Sequence, residues 1–575
     1  MNDFKVKIKD DISIVLCGEA GMGIQTVESI LTRLLKLSGY NVFATKEYMS
    51  RVRGGANSIE IRISSKRVNA FVDKIDILIP LNEGAIYRIK KRISSDTIVF
   101  GEKELVEKDF VGIEHKFIDV PFLKIANEIG DAIYSNIIVV GLLLGILNIE
   151  PEQGCNYIEQ FFSSKKEDVI KKNVEAIKKG YKIAENLTKS ETIKIDIKRN
   201  KQAKIEILLN GTEAVGLGAI AGGCNFISAY PMSPSTGVFV FLSNQIREFD
   251  IISEQAEDEI SAINMVIGAW IAGGRGLVTT SGGGFALMEE GLSLTGMLET
   301  PLVIHLAQRP APATGLPTRT EQADLELALY AGHGEFPRII FTPGTIEDAF
   351  YLTQKAFNLA DKFQIPVFIL TDQYFVDSYY NIPSLDLSKI KNEKYTIEAN
   401  KGYQRYTLTE NGISPRAIPG VGSEIVIYNG NEHDELGEIT EDPQIRAEMV
   451  EKRLKKLELI KKEVIFPELI GDKDYKILII GWGSTRNVLV EALERLRRDD
   501  VAFLYFKQVY PLHEKTNEFL KKAKQTIIVE NNATSQFSKL IKLYTDIEID
   551  TKILKYDGNP FSVEEIMHKL KNNIN

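Results

Sequence analysis

The sequence predicts an α/β protein of three successive α/β domains, and three observations carry the prediction. Short uninterrupted apolar runs recur along the chain, as buried parallel strands require. Most of these runs end in a glycine-, serine- or proline-rich turn followed by helical periodicity. The chain's 575 residues also exceed what one core accommodates, since domains run to about 150 residues.

The first predicted domain covers residues 1–192. Ile12–Cys17 (ISIVLC) is a continuous apolar run, followed by the turn Gly18–Gly23 (GEAGMG), an amphipathic stretch Ile24–Leu37 and a strand Asn41–Ala44. Strand, glycine turn, helix and strand make a βαβ unit. Further strands are expected at Ile75–Ile79 and Thr97–Phe100. The apolar run Ile137–Ile149 is too short to span a bilayer and reads as a buried helix. Lysine-rich Lys165–Lys189 is expected to close the domain as solvated helices.

The second domain is placed at 200–385, with strands at Cys224–Ala229, Gly276–Thr280, Leu302–Leu306 and Pro366–Leu370. Residues 386–465 break this rhythm and are expected to be a linker. Within it, Glu441–Val464 alternates charge signs, which predicts an exposed connecting helix. A third, smaller domain at 466–575 has strands at Lys476–Ile480, Val501–Tyr505 and Thr526–Val529.

Composition narrows the function classes. With 44% hydrophobic and 26% charged residues, this is an ordinary soluble globular chain. A net charge of −9 argues against nucleic acid as the main partner. The first residues, MNDFKVKIKDDIS, lack a signal-type apolar core. A cytoplasmic protein without a membrane partner is therefore expected. Cys17, Cys155 and Cys224 form no CxxC pair, which disfavours an iron–sulfur or zinc site and favours buried thiols. The six histidines have no HExxH spacing, so no metal site is expected.

Five stretches carry chemistry. In Ala229–Gly237 (AYPMSPSTG) two prolines flank Ser233, and proline rejects both helix interior and central strand. A stiff, hydroxyl-bearing turn at the carboxyl end of a strand lies where open α/β sheets hold ligands, although a plain loop has the same pattern. The Gly18–Gly23 turn has GxxGxG spacing and suits either a phosphate or a tight turn. Nearby, Arg51 and Arg53 beside Gly54 and Gly55 suit an anion or a solvated surface. Glu254, Glu257, Asp258 and Glu259 precede an apolar helix, where acids favour the helix N-terminus. Glu259 leads straight into Ile260–Ala272 and is expected to enter its buried end, with a raised pKa. Leu277–Leu287 (LVTTSGGGFAL) allows close backbone approach at Ser281 and Gly282. Finally, Ala313–Leu325 (ATGLPTRTEQADL) places Arg319 between Thr318 and Thr320, a setting suited to bidentate carboxylate binding or to a surface arginine.

Taken in order, YPMSPST, AEDEISAINMVIGA, TTSGGGFALMEEG, TGLPTRTEQADL and the terminal IIGWGST, YPL and VENNATSQ resemble the alpha subunit of 2-oxoacid:ferredoxin oxidoreductases. GEAGMGI and SRVRGG resemble the gamma domain of the same enzymes, here fused ahead of alpha. The resemblance implies a gamma-type domain, a thiamine-diphosphate pyrimidine-binding domain and a transketolase C-terminal-like domain, the last chiefly structural. It implies CoA-dependent oxidative decarboxylation of a 2-oxoacid, 2-oxoglutarate favoured, with reduction of ferredoxin. Pyruvate, branched-chain and aryl oxoacids are the alternatives within that reaction.

The same resemblance assigns residues. Glu259 lines up with the glutamate that hydrogen-bonds the cofactor's pyrimidine ring, with Glu257 a rival two positions away. Arg319 lines up with the arginine that pairs with the substrate carboxylate, assisted by Ser233, Tyr230 and Thr318. Pro231, Ser281 and Gly282 fall in the thiamine pocket. Gly18, Gly21 and Gly23 are candidate CoA or phosphate contacts. Family members usually read YPITPSS where this chain has Met232, Ser233 and Thr236, and often carry proline where it has Gly283. Thiamine enzymes bind the diphosphate through Mg2+ at a Gly-Asp-Gly, a triplet this sequence lacks. A beta subunit is therefore expected to bring the diphosphate site, Mg2+ and a [4Fe–4S] cluster, in an (alpha-beta)2 assembly. The competing class is a non-catalytic nucleotide-binding scaffold, which glycine turns alone would permit.

Overall fold

The computed structural model describes residues 5–19, 22–49 and 56–574. They divide into two compact units, Met1–Leu209 with Ser378–Ser384, and Asn210–Asp377 with Leu385–Asn575.

The first unit holds an eight-stranded sheet. Its order is Lys116–Asp119, Ile98–Gly101, Ile77–Pro80, Asp11–Glu19, Ala56–Ser64, Asn41–Glu47, Tyr379–Ile382 and Ile207–Asn210. Helix Ile24–Leu37 connects Asp11–Glu19 to Asn41–Glu47, but these two strands are not neighbours. Ala56–Ser64 lies between them, antiparallel to both, with Ile61 opposite Ile14 and Ala44. The expected βαβ unit is thus a split one. The inserted strand alternates isoleucine with charge, and ion pairs make its charged face buriable. Glu60 meets Arg92 at 2.6 Å and Arg62 meets Asp11 at 2.7 Å.

Helix Ser135–Ile146 is buried over almost its whole length, as its apolar run demands. Glu167–Lys189 departs from the expected solvated helix. Asn173, Ala176, Ile177, Gly180, Tyr181 and Ala184 form a buried stripe at helical spacing, leaving the lysines to the outer face. Lysine content concealed that stripe.

The second unit holds a seven-stranded and a five-stranded sheet. The larger runs Ile252–Gln255, Phe226–Ala229, Gly276–Thr280, Leu302–Gln308, Pro366–Asp372, Ile339–Phe341 and Gln508–Tyr510, parallel except at the last pair. From Phe226–Ala229 the chain crosses first to one side, then returns to add Gly276–Thr280 on the other. A crevice opens at the carboxyl ends of two strands whose connections diverge. Here those ends carry Ala229–Gly237 and Ser281–Gly284. The five-stranded sheet pairs Glu468–Gly471 antiparallel to Val501–Phe506, then Ile477–Trp482, Gln525–Glu530 and Thr551–Leu554 in parallel.

Helix Pro443–Lys461 also departs from expectation. Met449, Lys452, Arg453, Lys456 and Ile460 are buried along one face. The charged members are buried because they meet opposite charge: Lys452 and Lys456 each reach Glu299 at 2.6 Å, and Arg453 reaches Glu432 at 2.9 Å. All three cysteines are buried. Among the described residues, no helix is long and apolar enough to cross a membrane.

Candidate functional site

Strand Phe226–Ala229 runs out into Tyr230, which is 41% exposed, and the exposed Pro231. The chain then turns sharply. The Ser235 hydroxyl donates to the Met232 carbonyl at 2.7 Å, and the Thr236 amide donates to the same oxygen. This turn feeds helix Thr236–Ser243 and leaves Ser233 half-buried at the strand's end. The Ser233 carbonyl accepts from Arg309 Nη1 at 2.7 Å.

Glu259 opens helix Glu259–Ile271, and Asp258 relieves it of capping. The Asp258 carboxylate accepts from the Ser261 amide at 2.7 Å, satisfying one of the helix's free donors. Glu259 is consequently free to turn inward and is only 3% exposed, whereas Glu257 and Glu254 lie at the surface. Its Oε1 is buried without a hydrogen-bond partner. Burial pushes its carboxyl above the usual range and Asp258 adds to this, while the helix's own amide and Arg309 oppose. A Cβ on Gly284 would lie 2.5 Å from that oxygen, so only glycine fits there.

Ser281 closes strand Gly276–Thr280 and heads the short helix Gly282–Phe285. Its hydroxyl is buried, makes no capping bond and has no partner. A Cβ on Gly282 would lie 2.4 Å from the Asp324 carboxylate. Asp324 is 5% exposed, and its Oδ2 is likewise unpartnered. Burial raises its pKa to about 7 against the pull of Arg309, and half-buried Glu321 is also raised to about 7. Arg309 is 8% exposed with its Nε unpartnered. Burial lowers its pKa, opposed by Asp324 and Glu259. Glu259, Ser281, Arg309 and Asp324 thus converge at the switch-point crevice with hydrogen-bonding capacity unspent. Buried polar atoms are nearly always paired, so four such residues gathered together make this crevice the candidate ligand site.

His305, in the neighbouring strand, is different. Its ring bridges Thr279 Oγ1 at 2.8 Å and Thr371 Oγ1 at 2.9 Å, and burial lowers its pKa to about 3. It is a neutral tie between strands.

Thr318 and Arg319 are both buried, on a loop pinned to the five-stranded sheet. The Thr320 amide donates to the Gly558 carbonyl, and a Cβ on Gly558 would touch Arg319 Cβ at 3.3 Å. Gln322 exchanges bonds with Asn531 in both directions and donates to the Trp482 carbonyl at 3.0 Å. Glu530 organises this anchor. Its two oxygens accept from Trp482, Asn532, Ser535, Phe537 and Ser538. The VENNATSQ motif is therefore the clamp that holds the Arg319 loop.

The structure brings Ser233, Glu259, Ser281 and Gly282 to one crevice and adds Arg309 and Asp324, which sequence reasoning missed. Arg309 follows the Leu302–Gln308 strand directly, and only that position marks it. In the first unit, Gly23 has φ 75° at the start of helix Ile24–Leu37, where a Cβ would collide with Asn136 Nδ2 at 2.6 Å. A Cβ on Gly18 would press on Ile24 and Leu81 at 3.2 Å. Gly21, Arg51, Arg53, Gly54 and Gly55 lie outside the described residues. Among the described residues no three His, Cys, Asp or Glu side chains cluster as metal ligands would.

A family model described as pyruvate flavodoxin/ferredoxin oxidoreductase, thiamine diphosphate-binding, matches residues 217–452. A second, pyruvate ferredoxin/flavodoxin oxidoreductase, matches 13–183. The chain is 34% identical, over 97% of its length and 96% of the relative's, to a 2-oxoacid:ferredoxin oxidoreductase subunit alpha from Sulfolobus sp. It is 28% identical to the 2-oxoglutarate synthase subunit KorA of Methanothermobacter thermautotrophicus, covering 64% of this chain and 98% of that one. The 2-oxoglutarate:ferredoxin oxidoreductase of Magnetococcus marinus, solved with 2-oxoglutarate, coenzyme A and succinyl-CoA bound, superposes with a TM-score of 0.89. That match is 31% identical and covers 98% of this chain and 100% of the other.

Proposed function

The chain belongs to the 2-oxoacid:ferredoxin oxidoreductase family of enzymes, and from that premise we propose that its second unit builds half of a thiamine diphosphate site acting on 2-oxoglutarate. The reaction is CoA-dependent oxidative decarboxylation to an acyl-CoA and CO2, with the electrons passed to ferredoxin. The observation that carries this reading is the buried, unpartnered Glu259 Oε1 at the sheet's switch point.

The residues fit the cofactor. Glu259 is the acid whose raised pKa suits a hydrogen bond to a ring nitrogen. Gly284 keeps that oxygen open, because any side chain there would cover it. Ser281 offers a buried hydroxyl beside it, and Pro231 and Gly282 line the crevice. Thiamine diphosphate, when bound, would supply the carbon nucleophile that the decarboxylation requires. The chain's own residues hold the substrate.

Carboxylate recognition falls on Ser233 with Arg309. Arg309 already hydrogen-bonds the Ser233 turn and keeps donors unspent. Arg319 and Thr318 then position the loop that follows Arg309, through the clamp at Gln322, and Tyr230 forms the exposed lip. The diphosphate, Mg2+ and the [4Fe–4S] cluster belong to a beta subunit, the assembly being (alpha-beta)2 in the cytoplasm. Coenzyme A is the acyl acceptor, with Gly18, Gly21 and Gly23 as candidate contacts. Purified alone, the chain should show no turnover of 2-oxoglutarate with a low-potential dye, and adding the beta subunit should restore it. Turnover by the isolated chain would refute the divided site.

A further inference from the structure

Asp324 stands at the N-cap position of helix Leu325–Tyr330, yet its side chain makes no capping bond. Aspartate is among the best N-cap residues, so forgoing the bond needs a reason. The carboxyl turns instead against Gly282, 95% buried, with Oδ2 unpartnered. An ionised carboxylate left that way is far costlier than a neutral acid. Its backbone amide donates to Gln308 Oε1 at 2.9 Å, and Gln308 in turn is fixed to the Thr371 carbonyl at 3.0 Å. Asp324 is therefore tied to the residue immediately before Arg309.

The charged groups facing Asp324 are few. Arg309 attracts it, and Glu321, on the same loop, repels it. Glu259 belongs to the set through its interaction with Arg309. Glu326, on Asp324's own helix, is paired outward with Lys539 at 3.0 Å. Among the described residues no carboxylate lies within ion-pair distance of Arg309. Its guanidinium thus faces two buried acids and is claimed by neither.

We propose that Asp324 is a positioning residue that sets how tightly Arg309 holds a carboxylate substrate. As a neutral acid it leaves the guanidinium donors open, and as a carboxylate it competes for them. The inference rests on the reading that Arg309 receives the substrate carboxylate. Its sign follows from linkage: substrate favours the protonated state, so KM is low below the Asp324 midpoint and rises above it. Burial puts that midpoint at about 7.

The test uses the reconstituted complex, with kcat and KM for 2-oxoglutarate measured from pH 6 to pH 8. For one group titrating near 7, wild-type KM should rise about tenfold across that range. Asp324→Asn should hold KM flat near the wild-type value at pH 6, while Glu321→Gln keeps the rise. An Asp324→Asn enzyme that retains the wild-type rise, or shifts KM equally at every pH, overturns the proposal. A purely structural role would lower the Tm and leave the KM profile intact. Arg309→Ala separates the two claims, since unchanged KM there would sink the carboxylate reading itself. A second measurement needs no change at Asp324. In the Glu259→Gln complex, calorimetry at pH 8 in buffers of differing ionisation enthalpy should find close to one proton taken up per 2-oxoglutarate bound. No proton uptake would overturn the proposal independently.

Discussion

Glu530 and Glu259 are both almost wholly buried, at 0% and 3% exposure, and belong to the same compact unit. Glu530 has both oxygens enclosed by five donors, from Trp482, Asn532, Ser535, Phe537 and Ser538. Glu259 has an oxygen that nothing meets. Glu299 sides with Glu530 through charge, because the ammoniums of Lys452 and Lys456 lie 2.6 Å from its carboxylate and compensate it. Folding alone explains a saturated carboxylate, which ties segments together. It does not explain an unsaturated one, whose burial costs stability that no contact within the chain returns. The contrast separates residues that hold the scaffold from residues that wait for a ligand.

The largest effect is expected on the charge-compensated side. Glu299→Gln leaves Lys452 and Lys456 buried with no anion, and removing one partner of a buried ion pair costs roughly 3–5 kcal/mol. Thermal unfolding of the complex should shift down accordingly, while kcat of the folded fraction stays within about twofold. A large loss of kcat without a loss of Tm would put Glu299 on the wrong side of the division.

A smaller effect separates the two arginines. Arg309→Ala should raise KM for 2-oxoglutarate about 10- to 100-fold, the range for losing a charge-assisted contact of about 1.5–3 kcal/mol. Arg319→Ala should act mainly through the loop, with a milder KM change and a measurable loss of Tm. Steady-state kinetics paired with thermal melts on both variants decides this. The reverse ranking would return the carboxylate contact to Arg319, as family resemblance alone suggests.

Much of the architecture was legible in the chain. Ile24–Leu37 and Gly276–Thr280 occupy the ends that their periodicity and apolar runs indicate. Glu259 was legible too, because it alone of four acids leads straight into an apolar helix. What escaped was long-range pairing. The strand Ala56–Ser64 needs Arg92 and Asp11, distant in sequence, to bury Glu60 and Arg62. The face of Pro443–Lys461 looked solvated until Glu299 and Glu432 met it. Nothing in the local sequence pattern singles out Asp324 or Arg309. Their roles exist only where the ends of two strands converge on Gly282 and Ser233, and local pattern does not encode that meeting.

Glu259 is kept unsaturated for a cofactor, and Glu259→Gln in the reconstituted complex is the variant that decides it. The substitution keeps shape and burial while removing the acid. Losing a positioned acid–base group costs about 10²–10⁴ in rate, so kcat should fall by that factor with Tm unchanged or raised. A variant that keeps wild-type kcat, or that unfolds as Glu299→Gln is expected to, would show that Glu259 serves the scaffold instead.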